Sequence, residues 1–222
     1  MEGGTLDAVV RGLRGEPAES RIDDLAEKAR TLTDPQVPAI LDIGRAWLAL
    51  SDGRLADAYR WAMQGANFAT GYSVTGFPLA ARAALWAGDA EGVRAASDAF
   101  EAIGVHGRAI EAARRTLHAA RAVVDGRMAD SVTAYLDAAR RWRELGVDFD
   151  LALSQMDFAL MQPDEPTAKA AGDEARTILG RLGATTLLGR LDRMPATGPP
   201  VRVVVGSAPT EPQTVDSNRR SG

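Results

Sequence analysis

The chain has 222 residues, 45% of them hydrophobic and only 5% aromatic, which is enough apolar material for a substantial core in one repeat array or in one to two compact domains. A formal net charge of −4 gives no general attraction to nucleic acid or to an anionic membrane. The absence of cysteine excludes disulfides and thiolate chemistry and is compatible with a cytoplasmic protein.

Residues 5–14 have the pattern of a short helix ended by Gly15, and Glu16-Pro17 opens the next. Ala8 and Gly15 fit a pattern that recurs further on, so this segment reads as a frayed repeat whose neighbour is missing. A helix is predicted over 18–32, with Ile22, Leu25, Ala26, Ala29 and Leu32 at helical spacing. Asp34-Pro35 then caps a helix over 36–51 with Ile40, Ile43, Trp47 and Leu50 on one stripe. Its partner over 54–69 offers Leu55, Ala58, Trp61, Ala62 and Phe68.

Trp61 to Ala81 carries no charge and is long enough to span a membrane. It also contains Gln64, Asn67, Thr70, Ser73, Thr75, Pro78 and three glycines, so it is predicted to be a helix-loop-helix junction. Helices over 76–87 and 90–103 follow, then a strongly periodic pair over 108–125 and 127–145. Asp148 starts a helix to Met161, Asp164-Glu165-Pro166 opens another to Gly183, and Leu187, Leu188 and Leu191 mark a last short helix. From Pro195 the composition turns to Thr, Gly, Pro and a Val201–Val205 run, which predicts a disordered tail over 195–222 after a helical domain over 1–194.

One pattern runs through this series. Ala46, Ala49, Leu50 and Gly53 come back as Ala81, Ala84, Leu85 and Gly88, and again as Ala119, Ala122, Val123 and Gly126. The two alanines lie one turn apart on one helix face and admit a close neighbour, while the glycine suits the left-handed residue that ends a helix. Spacings of 35 and 38 residues match the period of stacked helix hairpins. The expectation is therefore an all-α chain, an α-solenoid of about four degenerate hairpins.

The hairpin spacing resembles tetratricopeptide repeats, with Ala46, Ala81 and Ala119 at that family's small position in the first helix and Ala58 at the small position in the second. A second resemblance rests on Ala138-Ala-Arg-Arg-Trp142-Arg-Glu-Leu145-Gly146, Asp150-Leu-Ala152 and Glu174 to Ala184. These look like the helical-repeat region of large bacterial regulators that join an AAA-type ATPase module to a nucleotide cyclase or LuxR-type DNA-binding domain. The chain has no phosphate-binding Gly-x-x-x-x-Gly-Lys-Ser/Thr loop, so it resembles the arm alone, and its tail fits the cyclase-linked arrangement better. The resemblance implies a non-catalytic, cofactor-free, cytoplasmic arm in signal transduction that binds a protein or peptide. A small-molecule sensor arm is the alternative.

Chemistry-bearing residues are few. His106 and His118 are the only imidazoles and have no metal-like frame, and the acidic pairs Asp23-Asp24 and Asp164-Glu165 fall where helix caps and dipole partners belong. Between 105 and 145, eight arginines face five carboxylates. Arg108, Arg114, Arg115 and Arg121 are thus candidates for binding an acidic partner, or else a solvated face whose stems cover apolar helix. Trp61, Phe68, Tyr72 and Phe77 around the uncharged junction either line a ligand pocket or fill the core.

Overall fold

The structure, a computed structural model, describes residues 1–32, 34, 36–68 and 70–193. The tail expected over 195–222 lies outside the described residues. Within them the chain is all-helical, with eleven helices and no strand. These are α1 (Glu2–Leu13), α2 (Glu19–Ala29), α3 (Val37–Ser51), α4 (Leu55–Ala66), α5 (Thr70–Ala87), α6 (Ala90–Ala102), α7 (Arg108–Val124), α8 (Met128–Leu145), α9 (Asp148–Met161), α10 (Pro166–Leu182) and α11 (Thr185–Arg193). No helix among the described residues is long and apolar enough to cross a membrane.

The repeated Ala and Gly positions form three matching helix ends. Gly53, Gly88 and Gly126 have φ of 79°, 73° and 74°. At each, the residue after the glycine donates its amide back to the repeated alanine's carbonyl: Arg54 to Ala49 (2.8 Å), Asp89 to Ala84 (2.9 Å) and Arg127 to Ala122 (2.8 Å). The glycine amide bonds the carbonyl one residue on, at Leu50, Leu85 and Val123. Only glycine enters this left-handed geometry without strain, and the bonds satisfy carbonyls that a helix end would leave open. After two of these turns an arginine ties the old helix to the new: Arg54 pairs with Asp52 and Asp57, and Arg127 with Asp125 and Asp130. The third turn uses Asp89 instead, whose side chain accepts from the Gly92 amide and caps α6.

Each turn folds the next helix back against the last, and the alanines set how closely they approach. Ala46, Ala49, Ala81, Ala84, Ala119 and Ala122 are all buried. At the α5/α6 contact, a Cβ added to Gly92 would fall 2.9 Å from that of Ala84, so the pair packs at a distance that only Gly against Ala permits. The odd-numbered helices also pack on one another in sequence, from α1 through α3, α5 and α7 to α9. Helix α9 is buried on nearly every side from Leu151 to Phe158, Ser154, Gln155 and Asp157 included, so these polar side chains must find their partners inside the fold.

Two sequence expectations are corrected. The N-terminal segment is not a repeat without a neighbour: α1 packs against α11 at the other end of the described chain, and the Thr186 hydroxyl donates to the Leu13 carbonyl (3.0 Å). The uncharged junction is also shorter than expected, because α4 stops at Ala66 and α5 already begins at Thr70, with Pro78 inside it. Proline there removes one helix hydrogen bond rather than the helix, since the buried positions on either side keep α5 in place.

Candidate ligand cavity

Where the odd-numbered helices converge they leave a cavity of about 280 Å³. Its walls are Trp47 of α3, residues of α5 from Val74 to Arg82, Ile110, Ala113 and Thr116 of α7, Trp142 of α8, and Phe149 with Asp150 of α9. Helical spacing explains the participants: Val74, Thr75, Pro78 and Arg82 lie in steps of three and four on α5, as Ile110, Ala113 and Thr116 do on α7. Thr75 and Ala109, which also border the cavity, are exposed and mark its mouth.

The cavity has a polar floor. Arg82 reaches from α5 to Asp157 on α9, its Nε 3.1 and 3.0 Å from the two carboxylate oxygens and a terminal nitrogen 2.9 Å from one of them. Trp86 donates its indole N–H to the same carboxylate (2.8 Å). Both ion-pair side chains are buried, at 8% and 3% exposure. Burial pushes the Asp157 carboxyl above its ordinary range, while the Arg82 charge and the hydrogen bonds from Arg82 and Trp86 hold it down. On the α7 side Trp142 donates to the Thr116 hydroxyl (3.3 Å), which donates in turn to the Ala112 carbonyl (3.2 Å). These bonds fix the ring that walls the cavity.

Asp150 stands apart. Burial raises its carboxyl above the ordinary range, with Arg82 the opposing charge. Among the described residues it has no side-chain ion pair. Its neighbour Asp148, also in the first turn of α9, is instead paired to Arg181. The Trp47 and Phe149 rings meet at 5.6 Å and 47° and separate the cavity from an apolar groove over Leu6, Val10 and Leu13 of α1.

The arginines singled out in the sequence share α7 but face away from this cavity. Arg114 is held by Glu101 (2.8 Å) and by Glu111, Arg115 by Asp137 (3.1 Å), and Arg121 by Asp98. His118 also reaches Glu101, at 3.3 Å, and Arg108 is exposed at the start of α7. The positive excess of 105–145 is thus met largely by Asp98 and Glu101 of α6, which sit just outside that stretch of sequence.

The four aromatics of the junction do not form one pocket. Phe77 is in the core, and the Tyr72 hydroxyl bonds Gln36 Oε1 (3.2 Å). Trp61 lies under the guanidinium groups of Arg45 and Arg60, at 5.1 and 4.3 Å from the ring centre. Phe68, expected on the buried stripe of the second helix, is 47% exposed, because α4 ends before it and its direction no longer follows helical spacing.

The residues that do form the cavity had a weaker signal. Trp47 and Trp142 read only as stripe positions. Arg82 and Asp157 were each the one charge in a long apolar stretch of α5 and of α9, and such a charge needs a buried partner. Thr116 and Ser154 face each other at 3.4 Å with no imidazole beside them, and no group of three or more His, Asp or Glu among the described residues is placed to hold a metal ion. No family model, curated protein or solved structure matches the chain.

Proposed function

We propose that this chain is a degenerate tetratricopeptide-like α-solenoid that works as a non-catalytic sensor arm of a cytoplasmic bacterial regulator and holds a small ligand in the cavity between α3, α5, α7 and α9. The observation that carries this reading is the cavity itself, aromatic on its walls, charged on its floor and reached by side chains from five helices. The three matching glycine turns and the sequential packing of odd-numbered helices support the repeat architecture. A ligand in that position touches helices from four successive pairs and so can bias how they sit on one another, the requirement for passing a signal to an attached domain. Neither nucleic acid nor membrane nor a cofactor has a role in this reading.

The second reading, capture of an acidic protein segment, rests on Arg108 and Arg115, the two most exposed of the four arginines on α7. Arg115 is paired with Asp137, and Arg114 and Arg121 are likewise paired within the fold, which leaves less charge for a partner. The two readings separate in one experiment. A small-molecule library is screened by thermal shift against the wild-type chain and against Ala113→Leu, which fills the cavity from a buried position. Ligands that stabilise the wild type and lose their effect in the variant support the sensor reading. Ligands unaffected by the variant, together with binding of an acidic peptide that weakens on Arg115→Glu, would favour the second.

A further inference from the structure

We infer that the cavity takes an organic ammonium ion, held between the Trp47, Trp142 and Phe149 rings with its charge against the Asp150 carboxylate. This rests on the cavity being a binding site and adds the chemical class of what it binds.

Three features point the same way. The first is the charge balance. Arg82 is matched by Asp157 in a close, multiply hydrogen-bonded pair, and Asp150, the one carboxylate among the lining residues, makes no ion pair among the described residues. An apolar ligand would take water from that carboxylate and give nothing back, and an anionic one would be repelled by it. The second is the wall. Three aromatic rings from α3, α8 and α9 surround a small space, and aromatic faces attract a cation whose hydration is too weak to keep it in water. The Trp142 N–H is engaged by Thr116, so that ring offers its π surface rather than its donor. The third is the backbone. Pro78 has no N–H to give to the carbonyl of Val74, four residues earlier, and both residues line the cavity. One helix carbonyl of a lining residue is thereby left without its helix partner, a partial negative charge that favours a cation nearby. The place of Asp150 in the first turn of α9 accounts for a carboxylate there, because the helix dipole favours it. It does not account for the aromatic rings collected around it from two other helices.

The test uses the full chain and three probes of one shape: choline, its neutral isostere 3,3-dimethyl-1-butanol, and the anion 3,3-dimethylbutyrate. Binding is followed by calorimetry and by tryptophan fluorescence, to which Trp47 and Trp142 of the cavity wall contribute. Choline is expected to bind roughly tenfold or more tighter than the neutral isostere, with the anion weakest. Asp150→Asn should abolish that preference while the unfolding temperature stays near that of the wild type. Phe149→Leu should weaken choline and the neutral probe unequally, choline more. Equal binding of cation and isostere, or a preference for the anion, overturns the ammonium assignment and leaves the cavity as a site. No binding of any probe at millimolar concentration, with no response to Ala113→Leu, overturns the cavity reading itself.

Discussion

Replacing Arg82 by Met tests the largest electrostatic commitment in the fold. The substitution keeps most of the apolar stem but leaves the Asp157 carboxylate, at 3% exposure, with Trp86 as its remaining side-chain donor. Removing one partner of a buried ion pair costs about 3–5 kcal/mol, because the other charge stays desolvated. For a chain of this size that corresponds to a fall of about 6–20 °C in unfolding temperature. Asp157→Asn should cost a similar amount, since it leaves the guanidinium of Arg82 buried without its counter-charge. The double replacement Arg82→Met with Asp157→Leu removes both charges and is expected within about 2 kcal/mol of the wild type, giving a coupling of several kcal/mol.

The pH dependence supplies a second signature. Burial raises the Asp157 carboxyl and Arg82 restrains it, so losing Arg82 raises it further. A raised folded-state pKa means that the folded protein binds the proton more tightly than the unfolded chain. The benefit is complete below the unfolded value and is lost as pH rises through the folded one. The deficit of Arg82→Met should therefore be greatest near pH 7.5 and shrink at pH 5. Urea unfolding followed by far-UV circular dichroism at both pH values measures it. Single losses below about 1 kcal/mol that add in the double variant would show that the pair is solvated and does not join α5 to α9.

Gly126→Ala should cost about 1–2 kcal/mol, because φ is +74° there and no neighbouring atom within 4 Å adds a steric term; equilibrium unfolding in urea with an unchanged slope measures it. Ala84→Leu and Ala122→Leu add bulk at positions only 1% and 2% exposed and should each destabilise by about 1–3 kcal/mol from overpacking, and neutral results at both would remove the basis for the helix register. Arg114→Glu places a carboxylate beside Glu101 and Glu111 and should lower stability by about 1–2 kcal/mol at low ionic strength, with the loss shrinking in 0.5 M salt. A salt-independent loss would assign the cost to the packing of the arginine stem instead.

The sequence by itself determined the helices and most of their ends, because those depend on interactions within a few residues. Gly53, Gly88 and Gly126 take the left-handed conformation that their place after an Ala-containing turn demands, and the spacing of Ile110, Ala113 and Leu117 or of Tyr135, Ala139 and Trp142 needs nothing outside its own helix. The first turns of α5 were not legible, since Pro78 and the surrounding glycines argue locally for a loop and only burial against α4 and α6 overrides them. The fate of the arginines was not legible either, because Glu101, Asp98 and Asp137 meet Arg114, Arg121 and Arg115 only once α6 and α8 have packed on either side of α7. The cavity was decided entirely by tertiary structure. Trp47 meets Phe149, and Arg82 meets Asp157, only because the row of odd-numbered helices curls until α9 lies against α3, α5 and α7 and α11 reaches α1. Local propensity carries no record of that curvature, which is the accumulated result of how closely each Ala-lined and Gly-lined contact lets one helix approach the next.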